Sequence, residues 1–289
     1  MKKIRIISPA KSIDKKHIDF AKDWLEKKGF EVSVGKYATG QFHYFSGSDA
    51  ERLYDMQEAI NEPSIDFILC SRGGYGSVRF INQLDWTKFK KHPKLILGYS
   101  DVTVFHNCIN KMGFLSVHST APLNFENNTT EALNSLVNIL TDEKNTYSFH
   151  AHKLNRFGEI EAEIVGGNLA IINSLLGTDD DLDTKNKILF IEDIGEAIYA
   201  IDRMMWSLKK SRKLENLAGL IVGGMTGLRD SEIPFGKSVE ELIREAVDEF
   251  DYPICFNFPA GHIDDNRSII FGQKARLLVN TNGAEFIQN

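Results

Sequence analysis

The sequence predicts an α/β fold: a parallel sheet covered by helices on both faces, followed by a second unit that alternates in the same way. Three observations carry this. Short apolar runs of strand length are separated by longer stretches whose apolar residues recur at helical spacing. Two of the runs end directly in loops rich in glycine or serine, Arg72-Gly73-Gly74-Tyr75-Gly76 and Gly98-Tyr99-Ser100. The alternation then breaks between residues 126 and 163 and resumes at Gly166.

Lys3–Ile7 reads as a buried strand. After Asp14 a helix presents Ile18, Ala21, Trp24, Leu25 and Lys28 on one face, and Gly29 terminates it. Residues 30–34 form a second strand, 50–60 a helix, and 65–70 a third strand running into the glycine loop. Residues 94–98 form a fourth, and the helix after Ser100 stops near Gly113. Residues 1–125 therefore read as an amino-terminal domain. Over 126–164 the character changes: Asn127-Asn128-Thr129-Thr130 is a polar turn, a short helix follows, and 146–152 alternates like an exposed strand. This stretch reads as the crossing between domains. The second domain, 165–289, predicts helix over 168–176, strand over 187–192, helix over 198–208, strand over 217–222, helix over 239–250 and strand over 253–258. Short strands fill 269–287, with Asn282-Gly283 as a hairpin turn, because both residues tolerate positive φ.

The chain has 289 residues, 34 Lys and Arg against 40 Asp and Glu, and a formal net charge of -6. No basic stripe offsets that balance, so a nucleic-acid partner is not expected. No window approaches the roughly 20 apolar residues of a spanning helix. The amino terminus lacks the apolar run of roughly 7–15 residues that a secretory signal needs. A cytoplasmic location follows as the expectation. Cys70, Cys108 and Cys255 are sparse and odd in number, which fits reduced core thiols. Cys70, ending a strand, is also a minor candidate for a nucleophile.

Several residues could do chemistry. Ser100 follows a strand at once and precedes a helix, a geometry that lifts a hydroxyl above the carboxyl end of a parallel sheet. Free N–H groups at the helix start would face the same spot, which suits a developing oxyanion. The bland alternative is a serine that merely caps the helix. Arg72-Gly73-Gly74-Tyr75-Gly76-Ser77 is either a phosphate loop or an oxyanion-hole loop beside Ser100, and it fits no nucleotide-binding pattern. Among the histidines, His17 and His92 sit in lysine-flanked stretches, and His150 and His152 lack further metal ligands nearby. His106 and His118 read as packed core histidines. His262, on a small-residue loop after Phe258-Pro259-Ala260-Gly261, is the candidate base. An orienting carboxylate would come from the acids that end an apolar strand, Glu192 or Asp193, or from Glu196; spacing does not separate them.

Taken together, these segments resemble the LD-carboxypeptidases and their relatives, the microcin C self-immunity peptidases. Matching segments run in order along the chain: Ile7-Ser8-Pro9-Ala10, Gly47-Ser48-Asp49 with Arg52, the glycine loop, Gly98-Tyr99-Ser100-Asp101, Gly166-Gly167-Asn168, Ile191-Glu192-Asp193 with Asp202-Arg203, and Pro259-Ala260-Gly261-His262. The resemblance implies a flavodoxin-like first domain and a smaller, swivelling β/α second domain. It implies a serine peptidase with Ser100 as nucleophile, His262 as base and Glu192 as orienting acid. Backbone amides of Gly74 and Asp101 would form the oxyanion hole. No metal or other cofactor is implied. Homodimers are the usual form, and the substrate would be a small peptide, murein tetrapeptide losing its terminal D-alanine. Arg72 is a candidate for binding a substrate carboxylate, or a brace for its own loop. Where many relatives have His-Gly-Pro, this chain has His118-Ser119-Thr120. The microcin-immunity branch would act on an aminoacyl-nucleotide conjugate and tends to carry an aromatic insertion, which is not evident here. A catalytically inactive ligand-binding protein of the same fold is the remaining alternative.

Overall fold

The structure is a computed structural model and describes residues 1–288. The first half runs β1 (Lys3–Ile7), α1 (Lys15–Lys27), β2 (Glu31–Val34), α2 (Asp49–Asn61), β3 (Phe67–Cys70), α3 (Thr87–Lys91), β4 (Leu95–Gly98), α4 (Thr103–Lys111), β5 (Ser116–His118) and α5 (Thr130–Leu140). The second runs β6 (Asn145–Phe149), β7 (Gly158–Asn168), α6 (Leu169–Ser174), β8 (Ile188–Ile194), α7 (Ile198–Lys210), β9 (Gly219–Thr226), α8 (Val239–Ala246), β10 (Ile254–Cys255), β11 (Ile269–Phe271), β12 (Lys274–Asn280) and β13 (Gly283–Gln288). Among the described residues no helix is long and apolar enough to cross a membrane.

Two sheets result. In the first, the strand order is β11-β5-β4-β3-β1-β2, parallel apart from β11. Successive residues of its central strands enter separate cores. Ile4, Ile6, Leu69 and Leu97 pack on one face, and Ile7, Ile68, Cys70 and Ile96 on the other. A strand buried on both faces needs apolar residues at consecutive positions, which is why these strands show little alternation. The second sheet has the order β10-β9-β8-β7-β12-β13-β6, with parallel pairing from β10 to β7 and antiparallel pairing beyond.

Several elements differ from the sequence reading. Residues 126–164 are built into both halves: α5 packs Leu136, Ile139 and Leu140 into a core of the first sheet, whereas β6 and β7 belong to the second. The long β7 was not expected because its end carries Gly166 and Gly167, poor strand formers. Both glycines answer to close contacts. A Cβ at Gly166 would lie 1.9 Å from Phe190 O, and one at Gly167 2.5 Å from Thr103 Oγ1. The strand predicted at 253–258 shrinks to Ile254–Cys255. Residues 269–271 return to the first sheet, where Ile269 pairs with His118. The hairpin lies one residue earlier than expected: Asn280 pairs with Gly283, so Thr281 and Asn282 form the turn.

Arg52, on α2, explains three of the sequence motifs at once. It is fully buried and donates to Pro9 O at 2.7 Å, Gly76 O at 2.9 Å and Gly47 O at 3.2 Å, and it is paired with Asp49. Phe45 and Phe80 flank its guanidinium at 4.6 and 5.2 Å. One cation therefore ties the loops after β1 and β3 to the start of α2, across the carboxyl end of the sheet. Arg52→Met takes the buried guanidinium from three carbonyls and a carboxylate, of which Gly76 O and Asp49 keep only their bonds from Arg79. It should lower unfolding free energy by about 3–5 kcal/mol, measured by urea denaturation.

Candidate active site

Ser100 opens a 3-10 turn, Ser100–Val102, that leads into α4, so the helix proper begins later than the sequence suggested. It adopts φ 64, a left-handed conformation that costs a non-glycine residue about 1–2 kcal/mol. Such strain persists only where the surroundings impose it, and it clusters at functional sites. The serine does not cap the helix through its side chain. Gly73 abuts it: a Cβ there would lie 2.6 Å from Ser100 Cβ and 2.8 Å from Oγ. The glycine loop thus passes directly against the hydroxyl, as the oxyanion-hole reading requires. Asp101, buried, accepts from Ser77 N at 2.9 Å and so bolts the serine turn to that loop. Burial raises the Asp101 pKa. Among the described residues, neither the Gly74 nor the Asp101 amide donates to another protein group.

Glu192 and His262 meet. Glu192 ends the apolar run of β8, with its side chain wholly excluded from solvent; His262 sits on the loop after β10, 12% exposed. His262 Nδ1 is 2.6 Å from Glu192 Oε2, and the backbone N–H of His262 donates to the same oxygen at 3.2 Å. Gly261, at φ 112, makes this double contact possible, since a Cβ there would lie 2.8 Å from Glu192 Cβ. A carboxylate oxygen only accepts, so Nδ1 carries the proton, and in the neutral ring Nε2 presents its lone pair. Burial opposes charge on both groups, yet each is held charged by the other. The His262 pKa is raised and that of Glu192 lowered.

The imidazole lies 4.7 Å from the Tyr99 ring, one residue before Ser100. The structure therefore brings His262 and Glu192 together and sets them beside the serine turn. Ser100 Oγ and His262 are not hydrogen-bonded to each other in this state. Asp193 is separated from its neighbour by its partners. Its carboxylate accepts from Asn168 Nδ2 at 3.0 Å and from the Ala170 N–H at 2.9 Å, so it anchors the start of α6. Burial pushes its pKa up to about 6. Glu196 contributes only its carbonyl, to Arg229 N. Arg72 donates to Ser12 O at 3.3 Å, makes no ion pair among the described residues, and keeps a buried Nε without a partner; burial lowers its pKa. Cys70 lies wholly buried in the core beneath Gly98, where desolvation raises its thiol pKa.

Two residues stand behind this pair: His118, buried as the packed core histidine the sequence predicts, and Asn266, for which the sequence predicts no role. His118, on β5, donates from Nε2 to Asn266 Oδ1 at 3.0 Å, and that oxygen also accepts from Gly261 N at 2.8 Å. Nothing in the sequence around Asn266 singles it out.

Comparisons with known proteins cover both halves of the chain. Residues 4–119 match the LD-carboxypeptidase N-terminal domain, and residues 161–277 match the LD-carboxypeptidase C-terminal domain. A probable murein peptide carboxypeptidase of Bacillus subtilis is 32% identical over 95% of this chain and 88% of its own length. The chain belongs to the LD-carboxypeptidase family. This places it among peptidases, as hydrolases of the serine class. Another LD-carboxypeptidase relative, the murein tetrapeptide carboxypeptidase of Pseudomonas aeruginosa, is 26% identical over 95% of this chain and 92% of its own. The crystal structure of muramoyltetrapeptide carboxypeptidase from Oxalobacter formigenes superposes with a TM-score of 0.91 at 25% identity, covering 99% of this chain and 98% of that one. The microcin self-immunity protein MccF, in complex with glutamyl sulfamoyl guanosine, shares the fold with a TM-score of 0.88 at 21% identity, covering 100% and 96%.

The buried pair sets a pH dependence. His262, with its pKa raised above the ordinary 6.5, adds stability that is fully present below 6.5 and is lost as pH rises through its folded value. Glu192, lowered from 4.5, adds stability that is present above 4.5 and is lost as pH falls through its folded value. Their joint contribution is therefore fullest between 4.5 and 6.5. In Glu192→Gln, burial acts on the imidazole without its counter-charge. The His262 titration followed by NMR should move from above 6.5 to below it.

Proposed function

We propose that this chain is a cytoplasmic serine L,D-carboxypeptidase that removes the terminal D-alanine from murein tetrapeptide, in cell-wall recycling, as a homodimer. The observation that carries the catalytic part is the buried Glu192–His262 pair, set beside the strained Ser100 turn. Support for the substrate comes from relatives named for murein peptides that match over almost the whole chain.

In this reading the Nε2 lone pair of neutral His262 takes the Ser100 proton as Oγ attacks the scissile carbonyl carbon. Glu192 holds the Nδ1 proton and stabilises the imidazolium that forms. The carbonyl π electrons move onto oxygen, which the Gly74 and Asp101 amides receive; each such donor contributes about 3–4 kcal/mol in comparable sites. Imidazolium Nε2–H then protonates the leaving amine of D-alanine, leaving the acyl group on Ser100. Water attacks that ester with His262 again as base, releasing tripeptide and regenerating the hydroxyl. The unmade Ser100–His262 hydrogen bond is consistent with a resting site that tightens when substrate enters. Arg72, positive and short of partners just before Gly73, suits the terminal carboxylate of the substrate.

Murein tetrapeptide should be cleaved to tripeptide and free D-alanine, while an aminoacyl-nucleotide conjugate stays intact under the same conditions. Ser100→Ala should lower kcat/KM by at least about 10⁴-fold; near wild-type turnover by that variant would remove the serine mechanism. Because the His262 pKa is raised, kcat/KM should climb with pH along a limb centred above 6.5. His118, pushed down to about 4 by burial, cannot produce that limb.

A further inference from the structure

The first sheet and the second contribute separate members of the candidate site. Ser100 follows β4 of the first sheet, whereas Glu192 lies on β8 and His262 follows β10, both strands of the second sheet. Something must therefore fix the second group of residues against the first. Most contacts across this boundary near the His262 loop involve its outer end. Asn128 Nδ2 donates to Asp264 O at 2.8 Å, and Ser268 N donates to Ser135 Oγ at 2.9 Å. Beside the ring contact of Tyr99 with His262, one hydrogen bond reaches the inner end: the bond from His118 to Asn266.

Its chemistry is determined. Gly261 N–H can only donate, so the Asn266 atom facing it is the amide oxygen. That same oxygen faces His118 Nε2, which leaves the histidine the donor role and fixes its tautomer. Burial keeps this imidazole neutral down to about pH 4. Aromatic rings pack around it, with the centroid of Phe190 at 5.0 Å and those of Tyr99 and Phe271 at 5.9 Å each. Tyr99, the residue before Ser100, thus touches both His118 and His262. One amide oxygen receives a donor from the serine-bearing sheet and a donor from the backbone that carries His262.

We propose that His118 and Asn266 are positioning residues for the reaction, acting through Gly261 to hold the His262 imidazole at its distance from both Glu192 and Ser100. The proposal rests on the reading of Ser100, His262 and Glu192 given above. It adds that the reach of the base is set by a side-chain bond crossing between sheets.

The test combines kinetics on murein tetrapeptide with NMR titration of His262. His118→Leu should lower kcat about 100-fold with KM little changed, the cost of a reacting group displaced by about an ångström. The His262 titration should also shift to lower pH as its contact with Glu192 loosens. His118→Gln, whose amide can still donate to Asn266 Oδ1, should restore kcat to within about tenfold of wild type and return the titration. A merely structural histidine would lower the melting temperature without moving the titration. If His118→Leu does not fold, Asn266→Ala removes the shared acceptor from the other side and should give the same kinetic and titration changes. A folded His118→Leu whose kcat and His262 titration both match wild type, with Ser100→Ala inactive, overturns the positioning role and leaves the site reading standing. If Ser100→Ala remains active, the site reading is what fails, and an unmoved His262 titration then overturns the positioning role as well.

Discussion

A carboxylate removed from water stays ionised only if its surroundings replace the hydration it has lost, and Glu192 is removed completely. What replaces most of that hydration is His262, which offers Glu192 Oε2 both its ring and its backbone N–H, with the Asn168 side chain adding to it. Much of the local architecture follows from this demand. The loop must double back at Gly261 so that both donors reach one oxygen, and the contact tolerates no side chain there. The rings of Tyr99 and Phe190 close off the space around His118 and the pair, keeping the dielectric low and the coupling strong. A buried pair of this kind gives little net stability. Its value lies in fixing the tautomer and direction of an imidazole.

The glycines serve the same end by allowing close approach. Gly73 lets one loop lie against Ser100, Gly76 clears the Arg52 guanidinium, and Gly167 brings β7 onto Thr103. Thr103 Oγ1 then accepts the Asn168 N–H at 3.0 Å, and Asn168 in turn holds Asp193. A chain of contacts therefore runs from the helix behind Ser100 to the acid next to Glu192. A methyl group added at Gly73, Gly76 or Gly167 would lie within 2.6 Å of the atom each glycine faces, so that neighbour would have to move.

Much of this was legible in the sequence, for local reasons. A serine or a glycine loop directly after an apolar run places chemistry at the end of a strand, and Ser100, Gly73 and Gly74 lie where that logic puts them. Which acid faces the imidazole was not legible. Successive strand residues point to opposite faces, and β8 also shifts register against β9 between Ile191 and Asp193, so spacing could not assign the faces of Glu192 and Asp193. The bond between His118 and Asn266 joins residues 148 positions apart and carries no motif. The sequence reads His118 as a packed core histidine but holds no hint of its partner. β7 was obscured by the glycines that its close packing requires.

The return of residues 269–271 to the first sheet affects how the molecule can be made. The backbone edge of β5 is completed only by β11, which the ribosome adds about 150 residues later. Until then a nascent amino-terminal half carries an open edge, the kind of surface on which chains join wrongly. Cutting the gene between the two matched domains would make that exposure permanent. The two halves thus match separate domains of the family yet form one unit of biosynthesis.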